Sequence, residues 1–252
     1  MTSKLSIRDL SFTYADGAQA LRQINMDIQA NELFVLFGPS RAGKTTLLRL
    51  LNRLADLLDG TQRTGEILVN GRDIYAPTVD VIHLRRRIGM VFAVPTPLPG
   101  SIYDNLAYGL QMAGIRDRQV IAERVERSLR QAALWEEVKD RLQDSAFALS
   151  GGQKQRMCLA RSLVLEPDVI LLDNPTSGLD PISTAMVEES LFELKQQYTI
   201  IMVPHSVQQA SRVADRAAFL LNGEVVEIGS QQQIFIHPKD KRTEDYVTGR
   251  FG

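Results

Sequence analysis

"LFVLFGPSRAGKTTLLRLL", residues 33–51, is the stretch that decides the fold. Five apolar residues run into a glycine-bearing loop, and the leucines beyond it recur at helical spacing. A short apolar run bounded by glycine predicts a buried strand, and the spacing after it predicts a helix. The loop itself, Gly38 to Thr45, fits the pattern G-x-x-x-x-G-K-[ST]. In such a loop the backbone N–H groups and the dipole of the following helix cradle a phosphate. Lys44 is then placed to reach the outer phosphates of a nucleotide, and the Thr45 hydroxyl to reach a magnesium ion. With a strand before it and a long helix after it, an ordinary strand-to-helix turn is a poor alternative.

Composition sets the outer bounds. A chain of 252 residues can bury one sizeable domain, or one domain with a subdomain. Its formal net charge of -1 argues against broad electrostatic affinity for nucleic acid. No apolar run approaches the roughly 18 residues that span a bilayer. The opening "MTSKLSIRDLSF" carries an acid where a signal peptide needs an apolar core, which argues against export. The single cysteine, Cys158, excludes an internal disulfide framework and fits a reducing compartment. Its setting, "QRMCLARSLVL", reads as a small buried helix residue.

Outward from the loop, the pattern is α/β. "KLSIRDLSFTY" and "INMDI" predict an antiparallel β part near the N-terminus, and "GEILVNGRDI" a hairpin turning at Asn70 and Gly71. "RRIGMVFAV" predicts a strand stopped by the prolines of "PTPLPG". From about 97 to 149 the pattern becomes mainly helical, an inserted helical subdomain within a single domain spanning 1–252. Strand and helix alternate again through "DVILLD", "YTIIMV" and "AAFLLNGEVVEIG", which implies a mostly parallel sheet.

Two further segments carry chemistry. "VILLD" ends an apolar strand in Asp173, a carboxylate placed to hold the magnesium ion. The next residue, where a water-activating carboxylate would stand, is Asn174. "LSGGQKQR", Leu149 to Arg156, puts Ser150 as an N-cap and two glycines at a helix start, where a phosphate can approach the backbone.

With these motifs in this order, followed by "SGLD" (Ser177 to Asp180) and His205 in "VPHS", the chain resembles the ATP-binding subunits of ABC transporters from end to end. The resemblance implies a P-loop NTPase core, ATP and Mg2+ as cofactors, and two subunits paired head to tail with each ATP between them. Gly38, Pro39, Ser40, Arg41, Ala42, Gly43, Lys44, Thr45 and Thr46 would then surround the phosphates, and Thr45 and Asp173 would hold the metal. Tyr14 would stack on adenine, Ser150, Gly151, Gly152 and Gln153 would clamp the γ-phosphate of the partner's nucleotide, and Asp180 would belong to the nucleotide-binding set. Lys44, Asn174 and His205 would be the residues at the reacting γ-phosphate. Segments such as "LNRLADL", "SIYDNLAYGL" and "HPKDKRTEDYVTGRFG" narrow the resemblance to the ATPases of bacterial high-affinity phosphate importers. That implies a second ATP-binding subunit (homodimer or paralogue), two membrane-spanning permease subunits, an extracytoplasmic phosphate-binding protein acting indirectly, and a peripheral place on the cytoplasmic face of the inner membrane.

Four positions depart from the family pattern. Arg41 replaces a glycine, Ala93 a glutamine that reaches metal and water, Asn174 the glutamate that polarises water, and Pro204 a threonine. A neutral amide orients water but does not take its proton at neutral pH. The expectation is therefore an ABC-type ATPase with weakened turnover; the alternative is an impaired subunit that binds ATP and pairs with an intact paralogue. A soluble ABC protein acting on nucleic acid fits poorly with one compact domain of near-neutral charge.

Overall fold

A computed structural model describes residues 3–250. The chain opens with β1 (Leu5–Thr13), β2 (Gln19–Ile28), β3 (Leu33–Phe37), α1 (Lys44–Leu51), β4 (Gln62–Val69) and β5 (Arg72–Asp73). It continues through α2 (Val81–Arg87), β6 (Ile88–Val91), α3 (Ile102–Met112), α4 (Arg118–Gln131), α5 (Trp135–Val138) and α6 (Gly151–Leu163). The remainder is β7 (Val169–Asp173), α7 (Pro181–Leu194), β8 (Thr199–Val203), α8 (Val207–Val213), β9 (Arg216–Leu221), β10 (Glu224–Ser230), α9 (Gln231–Phe235) and α10 (Lys241–Val247).

These strands form two sheets. The smaller is antiparallel, in the order β2-β1-β4-β5. Along β1 buried and partly exposed residues alternate, as expected of a strand with one face packed. Asn70 and Gly71 both have positive φ (51° and 74°) between β4 and β5, the backbone that a tight Asn-Gly hairpin needs. The larger sheet runs β10-β9-β3-β8-β7-β6, with β3 and β6 to β9 parallel and β10 antiparallel. The "LLNGEVVEIG" stretch thus adds a hairpin rather than another parallel crossover, because Asn222 and Gly223 form a second left-handed turn (φ 50° and 82°).

Strands β3, β7 and β8 are buried at every position, since both faces of the sheet are covered. Alternate residues of β3 enter two different cores. Phe34 and Leu36 meet α1 and the antiparallel sheet, with Leu47, Leu48, Leu5 and Ile7. Leu33, Val35 and Phe37 face the helical side, with Leu106, Leu129 and Leu163. Fully burying each such side chain stabilises the fold by about 1.5–3 kcal/mol. The helical region therefore shares its core with the sheet. It begins with α3 at Ile102, where Ser101 and Asp104 form a reciprocal capping box. Cys158 lies buried in α6, and burial pushes its thiol pKa up, so it packs as a small apolar group.

In a parallel sheet, ligands gather at the carboxyl ends of the strands. Here β3 ends at the phosphate loop, β7 at Asp173 and β8 two residues before His205. The topology brings three distant segments to one edge.

Candidate functional site

A cleft of about 670 Å³ lies at that edge. It is lined by the loop residues Gly38 and Ser40 to Thr46, by Tyr14, and by Asn174 and His205. Its volume falls in the range of small-molecule sites, roughly 300–1,000 Å³.

The loop is shaped by close backbone approach. A Cβ on Gly38 would lie 2.0 Å from the Leu220 carbonyl oxygen, and one on Gly43 2.5 Å from that of Ala20. Neither position tolerates a side chain. Arg41 adopts φ 66°, so the sequence departure at this position carries left-handed strain of roughly 1–2 kcal/mol. Gly43 precedes α1 without offering a side-chain acceptor, and the first turn of the helix holds no acid. That leaves a positive helix end facing the loop.

Lys44 donates from Nζ to the carbonyl oxygens of Gly38 and Pro39, each at 2.7 Å. Burial lowers its pKa below the ordinary lysine value, an effect the Asp173 charge partly offsets. The Thr45 hydroxyl donates to Asp173 Oδ1 at 3.1 Å. A hydroxyl and a buried carboxylate converging beside a phosphate loop are the hard oxygen donors that Mg2+ prefers, so the donor set fits that ion. Asn174 Nδ2 donates to the same Oδ1 at 3.2 Å, and its backbone N–H donates to the Val203 carbonyl at 2.8 Å. With φ 48° it is left-handed, a conformation Asn accepts more readily than most residues.

Tyr14 and Thr46 share a hydroxyl hydrogen bond of 2.7 Å, and the Tyr14 ring meets Phe12 edge-on at 5.1 Å. His205 is exposed to the cleft while its backbone N–H donates to Gln209 Oε1 at 2.9 Å. Pro204 before it is buried.

The glycine-rich segment at α6 lies elsewhere; Ser150, Gly151, Gly152, Gln153 and Asp180 do not line the cleft. Ser150 caps α6 in a reciprocal box with Gln153. Gln153 Nε2 also donates to Glu137 at 2.7 Å, and Glu137 pairs with buried Arg156 at 2.6 Å. Gly152 packs so tightly that a Cβ would lie 2.5 Å from Ser183 Oγ, whereas Gly151 faces open space. Asp180 caps α7, and hydrogen bonds from the Ser183 hydroxyl and backbone hold its carboxyl below the usual range. Ala93 has only a methyl group and does not line the cleft.

Sequence motifs alone did not point to Gln209 or to Tyr246 of α10, which also lines the cleft. The only local signal for Gln209 is its spacing, four residues after His205 at the start of a helix.

A strand–loop–helix phosphate cradle, an oxygen donor pair and a parallel sheet together define a P-loop nucleotide-binding protein. The family model described as ABC transporter matches residues 21–177. Along 252 residues, all of both chains, the protein is 52% identical to the phosphate import ATP-binding protein PstB 2 of Lactiplantibacillus plantarum. Among solved structures it superposes on cbiO1 of Clostridium perfringens, part of the ABC transporter complex cbiONQ, with TM-score 0.81 and 28% identity, covering 99% of this chain and 97% of that one. It shares its fold with a bacterial Atm1-family ABC exporter with ATP bound, at TM-score 0.82 and 24% identity, covering 99% of this chain and 42% of the exporter chain. The chain belongs to the ABC transporter family, as an ATP-hydrolysing subunit. Proteins of this family bind ATP with Mg2+ and act as dimers with membrane permease subunits. No helix among the described residues is long and apolar enough to cross a membrane.

Proposed function

We propose that this chain is the ATP-binding subunit of an inorganic-phosphate importer, peripheral on the cytoplasmic face of the inner membrane. Its partners would be a second ATP-binding subunit and two membrane-spanning permeases, with an extracytoplasmic phosphate-binding protein acting indirectly. The observation that carries this is full-length identity of 52% to a phosphate import ATP-binding protein, together with a cleft that gathers Lys44, Thr45, Asn174 and His205.

In this mechanism the backbone N–H groups from Ser40 to Thr46 and the α1 dipole hold the β-phosphate. Lys44 exchanges its contacts to the Gly38 and Pro39 carbonyls for the β- and γ-phosphates. Thr45 and Asp173 would hold Mg2+, which neutralises charge developing on the phosphoryl oxygens. Tyr14 presents its ring to the base, and His205 contacts the γ-phosphate. Ser150 to Gln153 and Asp180, being away from their own cleft, serve the nucleotide of the opposing subunit.

The chemical step is slow in the chain alone. Asn174 already donates to Asp173, and an amide accepts no proton from the attacking water. Losing a positioned base costs a factor of about 10² to 10⁴. Phosphate uptake by vesicles carrying the assembled transporter tests the assignment. It should require ATP and vanish with Lys44→Ala; uptake of a different solute, with phosphate ignored, would refute it.

A further inference from the structure

Gln209 belongs to none of the motifs above, yet its amide ties together the segments that end at the cleft. It is 3% exposed. Oε1 accepts from the His205 backbone N–H at 2.9 Å. Nε2 donates to the Thr176 hydroxyl at 2.9 Å and to Glu188 Oε1 at 2.9 Å. The orientation of the amide is dictated by its partners: a carboxylate only accepts, and a backbone N–H only donates. Glu188 is in turn held by Arg212, whose Nη2 donates to Oε1 at 2.7 Å.

Thr176 sits in the turn between Asn174 and Asp180, a turn closed by the Ser177 N–H to the Asn174 carbonyl and by Leu179 to Thr176. One side chain therefore joins the residue after Pro204, the turn after β7, and the middle of α7. The link matters at His205. Its imidazole is exposed and lines the cleft from a short segment between β8 and α8, so the backbone of that segment governs where it stands. Gln209 Oε1 holds that backbone N–H from four residues further on.

We infer that Gln209 is the positioning residue that sets His205 against the γ-phosphate and couples it to the Asn174–Asp180 turn. The inference rests on the proposed contact between His205 and the γ-phosphate. Gln209 touches no nucleotide itself; it acts by fixing where the imidazole stands. Because the γ-phosphate distinguishes ATP from ADP, the effect must fall on ATP and spare ADP.

Calorimetry on the purified full chain with Mg-ATP and Mg-ADP reads this out independently of hydrolysis rate. His205→Ala should weaken ATP binding by about tenfold, the worth of one hydrogen bond to a charged group, with ADP unchanged. Gln209→Leu, nearly isosteric, should weaken ATP binding roughly fivefold or more with ADP affinity intact. In the His205→Ala background it should add less than about twofold, since two residues acting through one contact are not additive. If Gln209→Leu does not fold, Thr176→Val removes only the hydroxyl partner and should show the same pattern more weakly. No loss of ATP preference with His205→Ala overturns the His205 contact and this inference with it. A loss with His205→Ala but none with Gln209→Leu overturns the inference alone. Equal losses for ATP and ADP, or fully additive effects in the double variant, show a merely structural glutamine and overturn it as well.

Discussion

If Asn174 limits turnover as proposed, replacing it by glutamate should raise the rate of ATP hydrolysis. A correctly placed base is worth about 10² to 10⁴ in rate, or about 3–5 kcal/mol of barrier. Two features of the structure reduce or redirect that gain. Asn174 Nδ2 lies 3.2 Å from Asp173 Oδ1, so a carboxylate there would face a like charge, which Lys44 only partly offsets. Asn174 also stands at φ 48°, where glutamate is less at ease. That strain is present in ground and transition states alike, so it lowers folding stability without entering kcat. We therefore expect at least a tenfold rise in the rate, about 1.4 kcal/mol, with a loss of roughly 1 kcal/mol in stability. For a chain of this size that is a Tm lower by about 2–4 °C. Adding Ala93→Gln should enlarge the gain beyond the product of the single effects, because both side chains act on one water. Beside this position the Phe92 carbonyl accepts from buried Gln155 at 3.0 Å, which holds the local backbone in place. The assay is phosphate release at saturating Mg-ATP, with Lys44→Ala as the blank. No gain in either variant while ATP still binds would move the defect to Arg41 or Pro204. Rapid hydrolysis by the unmodified chain, abolished by Lys44→Ala, would refute the reasoning about Asn174 outright.

Three other expectations follow from single positions. Gly151 faces open space, so Gly151→Trp should fold and bind ATP normally yet fail to form an ATP-driven dimer; sedimentation showing an unchanged dimer would count against the head-to-tail arrangement. Arg41→Gly should relieve left-handed strain and raise stability by roughly 0.5–1 kcal/mol in urea unfolding, net of the flexibility glycine adds to the unfolded chain. Asp168 pairs with Lys4 at 2.9 Å and with Arg87. Burial alone would raise its carboxyl pKa, but hydrogen bonds from Arg87 and Lys4 hold it below the ordinary 3.8. Its contribution is thus fully present above pH 3.8 and lost as pH falls through the lower folded value. Asp168→Asn should cost roughly 0.5–1 kcal/mol at pH 7 and 0.1 M salt, a difference that shrinks in acid; a gap unchanged with pH would refute the ion-pair account.

The sequence by itself determined the local pieces, because each rests on short-range chemistry. An apolar pentamer bounded by a glycine loop reads as a strand from its length and its flanking glycine. Asn70–Gly71 turns a hairpin because both residues accept positive φ. Ser150 caps α6 because its hydroxyl reaches an N–H three residues on. The motifs at Lys44, Asp173 and the Ser150 segment were likewise legible, since each is contiguous. What only the tertiary structure decided depends on residues brought together from far apart. The order β10-β9-β3-β8-β7-β6 sets which strand ends meet, and so puts Thr45 within 3.1 Å of Asp173 across 128 positions. The glycines at 38 and 43 are required by carbonyls of Leu220 and Ala20, a crowding no local pattern encodes. The antiparallel β10 departs from the alternating pattern although Asn222–Gly223 carries the same left-handed turn signal as Asn70–Gly71; the strand-and-helix alternation around it points the other way. Gln209 shows the limit most plainly. A glutamine on a short helix resembles a surface residue until Thr176 and Glu188, 33 and 21 positions away, close around its amide.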